Sequence, residues 1–166
     1  MPENEKITMH AMFFPLHTKC GDETMKNSAQ MLSSILKTTQ MGQVGIRSVL
    51  DNSMRPGLRK ALESQLREYD SIETEAHAIA TRRGWELQEL DPAVRFLADR
   101  MTRIKLSRKN TDSRIADMMI QGNTKGMIKG IKNQHQFTEN DAMVNTLSQK
   151  LIDCETANIR QMQSFL

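Results

Sequence analysis

Residues 115–130 read IADMMIQGNTKGMIKG. Ile115, Met119, Gly122 and Gly126 recur at steps of four and three, which is one face of an α-helix. Three glycines, Gly122, Gly126 and Gly130, stand four residues apart on that face. A glycine inside a helix costs about 1 kcal/mol relative to alanine, so the stripe needs compensation. Close approach of a second helix supplies it, with the geometry of small-x-x-x-small faces that is best attested in membranes. The complementary small residues Thr38, Gly42 and Gly45 lie earlier in the chain. Gly42 is therefore expected to meet Gly122 or Gly126 near the centre of a bundle. Gly130, nearer the helix end, is left for a dimer contact.

Outward from this stretch the chain reads as helix after helix. Met25, Ser28, Leu32, Ile35, Thr39, Gly42, Ile46 and Val49 mark a helix over about 22–51. Leu58, Leu62, Gln65, Tyr69, Ile72, Ala76 and Ile79 mark a second over about 56–83, with Gly84 as its stop. Asp91 caps a shorter helix over about 92–107 that begins on Pro92 and carries Val94, Leu97, Met101 and Ile104 on one side. Thr111 or Asp112 caps the helix of the opening stretch, about 112–135. Thr138 with Asp141 is expected to form a capping box for the last helix, which runs to the C-terminus through Val144, Leu147, Leu151, Cys154, Asn158 and Phe165.

The layout is long, long, short, long, long. Tight connections make antiparallel hairpins of the first and last pairs. The 27 or so residues between the pairs are enough to cross a bundle of ~25-residue helices, roughly 38 Å long at 1.5 Å per residue. The expected fold is an all-α antiparallel four-helix bundle, ferritin-like, with one long crossover holding the extra helix. An up-down bundle with the short helix across one end fits the same lengths. Residues 22–166 form the bundle domain. Residues 1–21 are an N-terminal extension whose run MHAMFFPLH is too short to bury itself, and it either packs on the bundle or a neighbour or stays disordered.

Composition agrees with helix-on-helix packing. Aromatics make up 4% of the 166 residues, methionines number 13, and only 4 Pro and 8 Gly interrupt the chain. No apolar run reaches the ~18 residues of a membrane span, and the N-terminus lacks the pattern of a secretory signal. Cys20 and Cys154 match no metal-ligand spacing and read as free thiols, with the cytoplasm as the expected compartment. The net charge of +3 is uneven: residues 95–133 carry a local +7, leaving about −4 elsewhere. Arg100, Arg103, Lys105, Arg108 and Lys109 lack interleaved aromatics beyond Phe96 and any recognition-helix motif. They read as a solvated basic face, and nucleic acid is not an expected partner.

The segments LESQLREYDSIETEAHAIATRRG, TDSRIADMMIQGNTKGMI and LIDCETANIRQMQSFL resemble an uncharacterised family of small ferritin-like proteins from Firmicutes, distantly like spore-coat bundle proteins. The resemblance covers roughly residues 22–166, with IADMMIQGNTKGMI its most specific part. It implies a four-helix ferritin-like fold and no particular reaction.

A ferritin-like di-iron site needs a Glu from each of two helices and a Glu-x-x-His pair from each of the others. Glu-x-x-His does not occur in the sequence: Thr74 stands three residues before His77 and Lys132 three before His135. No metal and no cofactor are expected. His10, His17 and Cys20 with Met9 and Met12 are soft-metal residue types without a diagnostic spacing. The middle of the bundle is instead expected to hold a polar layer of Tyr69, Gln121, Glu155 and Asn158, with Thr39 and Gln65 beside it. Such a layer fixes helix register or, less simply, lines a small-ligand pocket. No nucleophile–base constellation and no phosphate loop is present. The expected function is non-catalytic, through self-association, as a dimer for example, or through a protein partner. The alternative is a metal-binding or oxidoreductase-type bundle with an unorthodox site.

Overall fold

The computed structural model describes residues 26–107 and 111–166. Among the described residues are five helices: α1 (Ser28–Leu50), α2 (Pro56–Arg83), α3 (Pro92–Ser107), α4 (Asp112–Gln136) and α5 (Ala142–Gln163). The expected N-terminal extension, 1–21, and the candidate ligands within it lie outside the described residues.

The helix ends follow local chemistry. α1 begins later than the expected Asp22 because Asn27 and Gln30 form a reciprocal capping box. Glu139, from the α4–α5 connection, also accepts the Ser28 N–H at 2.7 Å. A carboxylate at a helix N-terminus satisfies an orphan donor and meets the positive end of the dipole. Gly84 ends α2 in the left-handed region, φ 66°, where a side chain would be strained. Asp91 caps α3 through the Ala93 N–H at 2.7 Å, and Thr111 caps α4. The expected Thr138 box does not form. Asp141 itself is the cap of α5, accepting from Met143 and Val144 N–H, because a short Asx side chain reaches the next two amides directly.

Tertiary hydrogen bonds establish the direction of each helix. Lys26 N donates to the Gln136 carbonyl at 2.9 Å, so the start of α1 meets the end of α4. At the far end Arg55 pairs with Asp112, just after α1 and at the start of α4. α1 and α4 are therefore antiparallel. Gln65–Gln161, Tyr69–Glu155, Ser71–Lys150 and Arg83–Asp141 run in opposite order along α2 and α5, which are antiparallel too. α2 and α4 then point the same way across the diagonal, and their connection must travel the length of the bundle.

That connection climbs along α1. Ser33 Oγ accepts the Gln88 N–H at 3.1 Å and Gln40 Oε1 the Leu90 N–H at 2.7 Å. Higher up, Ser48 Oγ donates to Asp99 at 2.6 Å and Arg103 pairs with Asp51 at 3.0 Å. The bundle thus has the single long crossover; the short helix does not lie across one end. The Asp99–Ser48 bond also fixes how α3 is turned. Thr102 is buried, whereas Leu97, expected on the packed side, is 48% exposed.

The core is a Leu, Ile and Met interior. Leu32, Leu36, Ile46, Leu58, Leu62, Ile72, Ile115 and Leu147 are among its fully buried side chains, with Met31, Met119 and Met162 filling between helices. No helix among the described residues is long and apolar enough to cross a membrane.

Candidate functional site

Tyr69 sits on the buried stripe of α2, Asn123 on α4 and Glu155 on α5, all three essentially without solvent exposure. The Tyr69 hydroxyl is 2.9 Å from Glu155 Oε2 and 2.9 Å from Asn123 Oδ1. A phenol has one proton to donate, which constrains the group. Asn123 Oδ1 can only accept, so it takes the Tyr69 proton. With the Asn123 amide in this orientation, a neutral Glu155 donates from Oε2 to the Tyr69 oxygen. Burial agrees with this assignment: it pushes the Glu155 carboxyl up to about 8, against a smaller opposing pull from the Tyr69 hydroxyl. Burial, with the Glu155 charge adding to it, holds Tyr69 well above the usual phenol range.

The glycine stripe belongs to this group. A methyl at Gly42 would stand 2.6 Å from the Tyr69 ring, and one at Gly126 would stand 2.7 Å from Glu155 Cδ. These glycines admit two polar side chains; the expected backbone-to-backbone approach of α1 and α4 is not their role. Gly42, Gly45, Gly122 and Gly126 do converge, but on a cavity of ≈ 20 Å³ shared with Thr38, Tyr69, Asn123 and Glu155. Gly130 is buried against Ile152 of α5, 2.8 Å from where a methyl would sit. It makes a contact inside the bundle, between α4 and α5.

The expected polar layer is redistributed. Tyr69 and Glu155 meet as anticipated. Asn158 is buried beside Tyr69, on which its side chain acts as a hydrogen-bond partner, and its amide also donates to Cys154 Sγ one turn back on α5, at 3.5 Å. Gln121 is only half-buried and bonds to Asp117 of its own helix at 3.0 Å. Asn123 takes the place assigned to it. The periodicity contained this answer: Asn123 follows Met119 by four residues and shares its face, while Gln121, two residues after Met119, is turned away. Gln65 bonds to Gln161 at 2.7 Å, and the Thr39 hydroxyl is buried without a protein partner. Burial and the neighbouring Glu68 raise the Cys154 thiol far out of the range of a reactive thiolate.

A second polar seam, between α1 and α2, has no counterpart in the expectations. Gln40 and Gln43 donate to the two oxygens of Glu73 at 2.9 and 2.6 Å. Burial opposes ionisation of Glu73, yet the two amides and His77 hold it below the usual carboxylate range. Because Gln40 also accepts from Leu90, the seam ties the start of the crossover to both helices.

Of the basic stretch, Arg100 and Arg103 are exposed, and the side chains of Lys105, Arg108 and Lys109 lie outside the described residues. Arg103 is engaged by Asp99 and Asp51. Lys129 is pressed down to about 8, chiefly by burial and further by Lys26 and Lys37.

Di-iron chemistry would need several carboxylates and two histidines converging on one point. The centre of this bundle presents one carboxyl group, Glu155, already bonded to a phenol. Among the described residues no cluster of three or more His, Cys, Asp or Glu could hold a metal ion. The described residues do not fit a dinuclear site. No family model, curated protein or solved structure matches the chain.

Proposed function

We propose that this is a ferritin-like bundle protein of the cytoplasm, without a di-iron centre, that is non-catalytic and acts through self-association. The single long crossover and the resemblance to the Firmicutes family support the ferritin-like reading, and the lone central carboxyl group supports the absence of redox chemistry. The observation that carries the association reading is on α3. Phe96 is 65% exposed and Leu97 48% exposed, side by side on the outer face of the crossover. Neighbouring exposed large apolar side chains supply the kind of area that a protein contact buries.

Sedimentation of the full chain over a wide concentration range tests this. The expected result is reversible association that Phe96→Ser with Leu97→Ser abolishes without loss of helicity. A chain that stays monomeric throughout, or a double variant that associates as well as the parent, would overturn it.

A further inference from the structure

Glu155 is 2% exposed, and among the described residues no cationic side chain pairs with it. A buried carboxyl group without a counter-charge must hold a proton or meet a cation from outside the chain. The space for such a cation is adjacent. The glycine-lined cavity of ≈ 20 Å³ has room for one water-sized body. Gly42 and Gly122 remain partly exposed, which leaves an opening between α1 and α4.

Besides the Tyr69 hydroxyl, three polar groups line that cavity. Asn123 Nδ2 is buried with no partner. The Glu155 carboxyl is engaged by Tyr69 through Oε2. Thr38 Oγ1 has given its proton to the Ser34 carbonyl at 2.9 Å and keeps its lone pairs. If Glu155 loses its proton, the triad has one other consistent arrangement. The Asn123 amide turns over, Nδ2 donates to the Tyr69 oxygen, and Tyr69 donates to the carboxylate. Asn123 Oδ1 then takes the unpaired position. The cavity now presents only acceptors: Glu155 Oε1, Asn123 Oδ1 and Thr38 Oγ1.

We propose that this cavity binds one water-sized monovalent cation, ammonium or potassium, on Glu155, Asn123 and Thr38 in exchange for the Glu155 proton. The proton leaves to solvent as the cation enters, so the net charge of the site does not change. Ammonium suits it best, being the size of water and carrying only donors. The other groups facing Glu155 do not compete. α2 contributes Tyr69 and, behind Cys154, Glu68; α5 contributes Cys154 and Asn158. α1 and α4 contribute Thr38, Met41, Met119, Asn123 and glycines, none charged.

Thermal unfolding of the full chain in ammonium, potassium or tetramethylammonium chloride at equal ionic strength tests the site. Tetramethylammonium is too large for the cavity and controls for screening. Just above pH 8, ammonium or potassium should raise the melting temperature by about 3–6 °C over tetramethylammonium. Addition of either small cation to unbuffered protein at a pH between about 6 and 8 should release a measurable fraction of one proton per chain. At about pH 6 the salts should converge, because the proton wins. Glu155→Gln should remove the ion specificity seen above pH 8; if that variant does not fold, the pH comparison in the parent decides. Equal melting temperatures in the three salts above pH 8, as a water-filled cavity gives, would overturn the proposal. So would ion specificity that persists unchanged at about pH 6 or in folded Glu155→Gln.

Discussion

Tyr69 joins three helices through one oxygen, and its removal should be felt at both partners. Tyr69→Phe leaves Asn123 and Glu155 buried and unsatisfied, and should cost about 1–3 kcal/mol in urea unfolding. An unchanged midpoint would mean that the hydroxyl carries no net stability. Gly126→Ala gains about 1 kcal/mol in helix propensity but drives a methyl into a carboxyl that Tyr69 holds in place. A net loss of about 1–2 kcal/mol is expected. The loss should shrink when Tyr69→Phe is also present, because the freed carboxyl can swing aside; strict additivity in that double-mutant cycle would contradict the contact. Glu155 also imposes a pH dependence. Its folded value is raised to about 8 from an ordinary 4.5. Between those values the folded state holds a proton that the unfolded chain has released. Its contribution is full below the unfolded value and falls as pH rises toward 8, by up to about 1.4 kcal/mol per pH unit. Glu155→Gln should remove that slope from the stability–pH curve.

At the scale of elements, a polar seam ties α3 to α1. Ser48, then Arg103, keep the Asp99 carboxyl below its usual range. Its contribution is present at neutral pH and is lost as pH falls through that lowered value. Asp99→Asn should therefore loosen the crossover without melting the bundle. Limited proteolysis between α2 and α4 should accelerate several-fold while the melting temperature falls by only a few degrees. Equal cleavage rates would mean that the backbone bonds at Gln88 and Leu90 suffice to hold the connection.

For the whole molecule, the long crossover has a geometric consequence. It brings the start of α1 to the end of α4, where Lys26 and Phe137 form an isolated bridge. In an up-down bundle these residues would lie at opposite ends. Lys26→Cys with Phe137→Cys, in a Cys20→Ser background, should form an intrachain disulfide on mild oxidation. Failure to cross-link, with helicity intact, would count against this topology.

Local chemistry in the sequence determined the helices and most of their ends. Apolar spacing marks each buried face, and Asp91–Pro92, Thr111 and Gly84 act on neighbours a few residues away, so no tertiary information is needed to see them. Two termini escaped for the same local reason read too loosely: Asn27 and Asp141 were each one of several capping residues in a row. Tyr69 and Glu155 were also legible as a buried pair, since each falls on an apolar stripe. Only the tertiary structure decided the rest. Loop length allowed two topologies, and the choice rests on bonds between residues 50 or more apart, such as Gln40 with Leu90 and Ser48 with Asp99. The glycines show the limit most clearly. A missing side chain records that something comes close, but carries no trace of what, and the tyrosine and glutamate that fill Gly42 and Gly126 come from α2 and α5.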